Sequence, residues 1–332
     1  MAPSLRLGSL ALLLAGVEGV RFSRKRIAVN ATVGSRTTRN IDIDSNGNSA
    51  TREYSYFVPE QCSGRQCPMV LEFHGQYGSI PNVGYDGEAA SFGFVVVYLQ
   101  GMGDGACGTG WNTIAPGQDI SSTCESPKMS GTCCYRSCSR STCSNNNRGC
   151  RWATCHDDVA FTAAVLDEMR SAVNVGDVYV TGGSNGGMMT HTLMTTMPET
   201  FKGVVSVCGL PLAGQWEAGQ YGVPSALSGT SVLYMHGRSD GVIPAEGGWA
   251  GGWNYVSIAE AMRTLAANHG CASTTSAWST KYDGGNSDVA CVKHDNCPDG
   301  VTIAQCLYNG GHSAWPPNGN EMVFWFLAEH TG

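Results

Sequence analysis

The chain has 332 residues, with a net charge of −7, only 14% charged side chains and 44 glycines. That length allows one large domain or two small ones, and the low charge with abundant glycine is the profile of a compact, loop-rich chain, not a disordered one. The acidic balance speaks against nucleic acid as a partner, because phosphate binding needs a basic surface.

In chain order, Arg6, the apolar run from Leu7 to Val17 and small residues up to Gly19 have the layout of a secretory signal peptide. The run is short for a bilayer span, so an N-terminal anchor is the weaker reading. Residues 1–19 are therefore expected to be removed. That would leave a secreted, extracellular protein with no stable membrane association. Residues 20–50 form an N-terminal extension, a possible short pro-segment that includes Lys25-Arg26, and its part from Ile27 to Arg52 is expected to extend the main sheet. Asn30-Ala31-Thr32 is a glycosylation sequon in that compartment. The catalytic domain is expected over 51–332.

Within it, short apolar runs alternate with helical patterns. Strands are predicted at Val70–Phe73, Phe94–Leu99, Val178–Thr181, Gly203–Cys208, Ser231–Met235 and Thr302–Leu307. Several lack polar alternation, as central strands buried on both faces do. Helices are predicted at Asp157–Arg170, from about Gly187, around Ile258–Ala266 and at Glu321–Glu329. The fold class is thus α/β, a mainly parallel central sheet with helices on both faces. Residues 101–155 interrupt the alternation and hold a cysteine-rich insertion, with seven cysteines between Cys124 and Cys155. Their spacing suits disulfides better than tetrahedral zinc. The total of 15 cysteines is odd, and Cys208, in an apolar run, is the candidate free thiol.

The chemistry centres on Gly182-Gly183-Ser184-Asn185-Gly186, placed between a predicted strand and a predicted helix. A sharp strand-to-helix turn would expose Ser184, and glycines flank it because such a turn leaves no room for side chains. A hydroxyl needs an adjacent base, itself oriented by an acid. Asp240 follows the strand Ser231–Met235, and His312 follows the strand Thr302–Leu307. The order Ser, Asp, His matches a nucleophile, an orienting acid and a general base. The oxyanion donors are expected to be the amides of Asn185 and of Gln76, with Tyr77 as the fallback. His74, His236 and His156 read as structural. The reaction needs no metal and no cofactor.

These pieces resemble a secreted esterase family that contains feruloyl esterases, acetyl xylan esterases and poly(3-hydroxybutyrate) depolymerases. The matching segments are Arg52-x-Tyr54, Phe73-His74-Gly75, Gly110-Trp111-Asn112, Cys133-Cys134, Asp157-Asp158-Val159, Ser184-Asn185-Gly186-Gly187-Met188-Met189, His236-Gly237 with Asp240, and Gly310-Gly311-His312 with Trp315. The resemblance covers about residues 51–317 and implies an α/β-hydrolase fold with Ser184, Asp240 and His312 as the triad. Here Ser313 and Ala314 both separate His312 from Trp315, where the family commonly has one residue, and Cys291 and Cys306 are additional to the family's usual cysteines.

Trp111 and Trp315 are the candidate substrate-binding residues, as flat apolar surface for an aromatic acyl group. The expected substrate is a phenolic or acetyl ester on cell-wall polysaccharide. The competing readings are a polyester depolymerase and, in another class, a catalytically dead hydrolase fold that serves as a secreted binding protein.

Overall fold

In the run Met69-Val70-Leu71, neighbouring side chains enter different cores. Met69 and Leu71 pack with Val95, Val97, Val178 and Val180 on one side of the sheet; Val70 packs with Val96, Tyr98, Tyr179 and Val205 on the other. Successive side chains of a strand point to opposite faces. Burial of both faces explains why these strands read as unbroken apolar runs rather than alternating ones.

The computed structural model describes residues 31–45, 48–81, 83–103, 108–113, 154, 156–213, 216, 229–278, 288–316 and 318–331. The strands, in chain order, are β1 (Arg36–Ser45), β2 (Asn48–Phe57), β3 (Cys67–Phe73), β4 (Val95–Leu99), β5 (Met102–Gly103), β6 (Thr109–Gly110), β7 (Val175–Gly183), β8 (Gly203–Val207), β9 (Ser231–Gly237), β10 (Gly248–Ala250), β11 (Trp253–Tyr255), β12 (Thr275–Ala277), β13 (Val289–His294) and β14 (Ile303–Tyr308). The helices are α1 (Asp86–Phe92), α2 (Asp158–Ala172), α3 (Asn185–Thr196), α4 (Ile258–His269) and α5 (Gly319–Ala328).

A ten-stranded sheet has the order β1-β2-β4-β3-β7-β8-β9-β14-β13-β12. Its middle six strands, β4 to β14, are all parallel, and they are the six predicted from sequence. An antiparallel pair flanks each side, β1 with β2 and β12 with β13. Helices α2, α3 and α4 cover one face through Phe161, Val165, Leu193, Met262 and Leu265. Helices α1 and α5 cover the other through Ala89, Met322, Phe324 and Phe326.

Two helix starts show how local sequence sets these elements. Asp157 caps α2 by accepting from the Ala160 amide at 2.8 Å. Ser257 caps α4 by accepting from the Glu260 amide, and Gly270 ends α4 in a left-handed conformation that suits glycine. Helix α2 is also tied to β2 by a buried ion pair, Arg52 to Asp158 at 2.7 Å, with the guanidinium over the Phe161 ring. The second Asp158 oxygen accepts from the Asn112 amide.

Disulfides join Cys62 to Cys67, Cys271 to Cys297 and Cys291 to Cys306, and Cys208 is a buried free thiol. The expected signal peptide 1–19, Lys25-Arg26, Asn30 and the seven cysteines between Cys124 and Cys155 lie outside the described residues. Among the described residues, no helix is long and apolar enough to cross a membrane.

Candidate active site

The parallel strands all run the same way, so the loops after β3, β7, β9 and β14 leave one edge of the sheet together. Each carries one of the residues singled out above. The turn after β7 is the tightest. Ser184 has φ +54° and ψ −120°, a region costly for a residue with a side chain, at about 1–3 kcal/mol. Its amide donates to the Val207 carbonyl at 2.8 Å, and its carbonyl accepts from the Met188 amide as α3 begins. Gly186 is dictated by this geometry: a Cβ there would collide with the Phe73 carbonyl oxygen.

The structure brings Ser184, His312 and Asp240 into one hydrogen-bonded series. The Ser184 hydroxyl lies 2.8 Å from His312 Nε2, and His312 Nδ1 lies 2.8 Å from Asp240 Oδ2. The amides of Val242 and Ile243 both donate to Asp240 Oδ1 at 2.9 Å. The Asp240 side chain is buried, and that of His312 is 18% exposed. Burial alone would raise the Asp240 pKa. Hydrogen bonds from His236, His312 and the Ile243 amide overcome that and hold the carboxyl well below the usual range. With Nδ1–H given to a carboxylate, His312 presents an unprotonated Nε2 to the serine, the tautomer a general base requires.

The loop after β3 closes against the nucleophile. A Cβ on Gly75 would sit 3.4 Å from the Ser184 Cβ. The loop turns through Gly75–Gly78, where the Gly78 amide donates to the Gly75 carbonyl at 3.0 Å. Gln76 occupies the second position of this turn and is partly exposed. Tyr77, the fallback oxyanion donor, is corrected by the structure, because its amide is consumed by the Thr109 carbonyl at 2.8 Å. Asn185 is fully buried at the first position of α3, where backbone amides lack helical partners.

His74 supports this loop. Its Nδ1 donates to the Gly75 carbonyl at 2.7 Å, and its Nε2 accepts from the Gly101 amide at 2.9 Å. Burial lowers its pKa, and protonation of Nε2 would break the bond to Gly101. Trp111 is also a correction. It is fully buried, its Nε1 donates to the His74 carbonyl and its amide donates to Asn185 Oδ1. Its ring packs edge-on to Phe73 at 4.8 Å, so it braces the loop from beneath instead of offering a face to substrate. Trp315 remains 38% exposed, three residues past His312, with its ring lying on Gly319.

Two contacts at Asp240 have no counterpart in the sequence reading. His236 Nε2 lies 2.7 Å from the Ile243 carbonyl and 3.2 Å from Asp240 Oδ2. The Cys208 sulfur lies within 4.8 Å of an Asp240 carboxylate oxygen and stands 3.0 Å from the Tyr308 hydroxyl. The spacing His236-Gly237-x-x-Asp240 could have pointed to the first; nothing local marks the second.

Comparison with known proteins agrees with this architecture. The prolyl oligopeptidase family matches residues 150–213, the segment that holds α2, β7 and Ser184. A relative named as an esterase, NocK from Nocardia uniformis subsp. tsuyamanensis, is 26% identical over 238 residues. That match spans 70% of this chain and 55% of the relative, so the chain covers about half of that protein's length. An acetyl xylan esterase from Aspergillus awamori superposes with a TM-score of 0.54 at 15% identity, over 88% of this chain and 99% of that one. A cold-adapted esterase from an Arctic intertidal metagenomic library superposes at 0.50 and 16% identity, over 91% and 97%. The chain has the α/β-hydrolase fold.

Proposed function

We propose that the protein is a secreted serine carboxylic ester hydrolase that works through an acyl-enzyme. The observation that carries the reading is the series Ser184 Oγ, His312, Asp240, with both links at 2.8 Å. His312 Nε2 takes the hydroxyl proton as Ser184 attacks the ester carbonyl, and then gives it to the leaving alcohol. Water attacks the acyl-enzyme with His312 again as base. Asp240 holds the imidazole and stabilises its charged form. The developing oxyanion is received by the Asn185 and Gln76 amides.

For the substrate we favour a feruloyl or acetyl ester of cell-wall polysaccharide. The similarity to an acetyl xylan esterase supports the acetyl arm. The exposed apolar side chains Tyr77, Val242 and Trp315 sit on the same three loops as Gln76, Asp240 and His312 and suit an aromatic acyl group. The same exposed side chains also favour, as second reading, a polyester depolymerase that works on an apolar surface. Turnover of p-nitrophenyl acetate, methyl ferulate and a poly(3-hydroxybutyrate) suspension by the wild type and by Ser184→Ala tests all of this. Activity on the first two that vanishes in the variant supports the proposal. Activity on the suspension alone favours the second reading, and equal activity in both proteins removes Ser184 as nucleophile.

A further inference from the structure

The free thiol of Cys208 has no role in ester hydrolysis as derived above, yet it lies inside the site. It follows β8, between the strand that leads to Ser184 and the strand that leads to Asp240. Its backbone has φ +48°, an unusual conformation for a residue with a side chain. Its amide is pinned to the Met235 carbonyl at 2.9 Å, and its sulfur is pinned to Tyr308. So held, one ligand atom from each of Cys208, Asp240 and His312 lies within 4.8 Å of the others.

We propose that Cys208, Asp240 and His312 form a binding site for a thiophilic divalent cation, Zn2+ being the fitting example, and that the bound ion reversibly arrests the triad. Sulfur, imidazole nitrogen and carboxylate oxygen are a donor set that zinc uses. Tetrahedral zinc bonds of about 2.0–2.3 Å set ligand atoms roughly 3.3–3.7 Å apart, so the sulfur would close in while the 2.8 Å pair of His312 Nδ1 and Asp240 Oδ2 opens slightly. Outer contacts are already in place: Tyr308 on the sulfur, and two amides and His236 on the carboxylate. Of the three ligands only His312 is partly exposed, at 18% of its side chain, so an ion would enter on its side.

The arrest does not depend on which imidazole nitrogen binds. If Nε2 coordinates, its lone pair is occupied. If Nδ1 coordinates, its proton moves to Nε2, which then cannot accept from Ser184. Either way the imidazole stays neutral, and the single proton released to solvent is the one from the thiol. Mg2+ and Ca2+ prefer all-oxygen sites, so neither should act here. The inhibition rests on the proposed function; the binding itself does not.

The test uses the full-length, disulfide-intact protein titrated with Co2+ and read by thiolate-to-cobalt charge-transfer absorption. The band is expected in the wild type and in Ser184→Ala, displaced by Zn2+, and absent from Cys208→Ala. No band in the wild type, or an equal band in Cys208→Ala, overturns the proposal. Because Ser184→Ala is inactive under the proposed function, its band separates a failure of this site from a failure of the hydrolase reading. Zn2+ should also inhibit p-nitrophenyl acetate hydrolysis, with EDTA restoring it, and the half-inhibiting concentration should rise at least ~10-fold in Cys208→Ala. Unchanged sensitivity in that variant overturns the arrest. If Cys208→Ala does not fold, zinc-edge X-ray absorption of wild type carrying one equivalent of Zn2+ decides. One sulfur among nitrogen and oxygen ligands supports the site; no sulfur, or sulfur alone, overturns it.

Discussion

His236 Nε2 and His312 Nδ1 both approach Oδ2 of Asp240, at 3.2 and 2.8 Å. One carboxylate oxygen thus serves a buried imidazole on one side and the proposed general base on the other. His236 is fully buried and shares its Nε2–H with the Ile243 carbonyl, in the loop whose amides hold Asp240 Oδ1.

Replacing His236 by leucine leaves the Ile243 carbonyl without this donor and removes one of the groups that keep Asp240 ionised. The expected cost is about 1–3 kcal/mol of stability at neutral pH, measured by urea denaturation. The acid side should respond as well. Asp240 is held below the usual carboxylate range, so its contribution is fully present above about pH 4 and is lost as pH falls through the lower folded value. Wild type should therefore lose stability more steeply below pH 4 than His236→Leu. Parallel acid profiles would show that His236 does not act through Asp240.

Asp240→Asn keeps the shape of the site and removes the acceptor that fixes the His312 tautomer. Ester hydrolysis should fall roughly 10⁴-fold in kcat with a small change in KM, as in a serine triad. A loss confined to KM would assign Asp240 to binding.

Arg52 and Asp158 are both about 1% exposed and form a buried pair. Removing one partner strands a charge, so Arg52→Met should cost about 3–5 kcal/mol, read as a lower urea midpoint. The double variant Arg52→Met with Asp158→Asn should recover part of that loss. No recovery would mean that the Phe161 and Asn112 contacts, and not the charge pair, set the cost.

Glu72 is fully enclosed near the C-terminal end of β3, and its Oε2 has no hydrogen-bond partner among the described residues. Burial pushes its pKa up to about 8, with Arg36 opposing. Between about pH 4.3, where an unfolded glutamate ionises, and pH 8, the folded chain holds a proton that the unfolded chain has lost. Stability should therefore decline as pH rises through that window. Glu72→Gln should flatten the decline and be the more stable protein at pH 8, by thermal or urea unfolding. A decline of the same slope in the variant would locate its origin elsewhere.

How much of this was readable from sequence follows from how local each cause is. The turn at Ser184 was legible because strand, glycines and helix start are contiguous. The six parallel strands were legible because burial on both faces writes an apolar run. Of the flanking strands, β1 and the start of β2 fall in the segment 27–52 expected to extend the sheet, although β1 buries only Ile43; β12 and β13 were harder, since β13 mixes buried with more exposed residues. Trp111 went wrong for a related reason. Its neighbours in sequence do not record that His74 and Asn185 would close over it. Cys208 could be singled out as unpaired, but its place beside Asp240 depends on three strands far apart in the chain.

The hydrogen bonds that define the site span 128 residues from Ser184 to His312 and 72 from Asp240 to His312. They form only after β7, β8, β9 and β14 have all been laid side by side. An unfinished chain therefore holds its serine, acid and base as three unrelated side chains. Under the proposed function, ester hydrolysis would report completed assembly, because serine, acid and base meet only with the last of these strands in place.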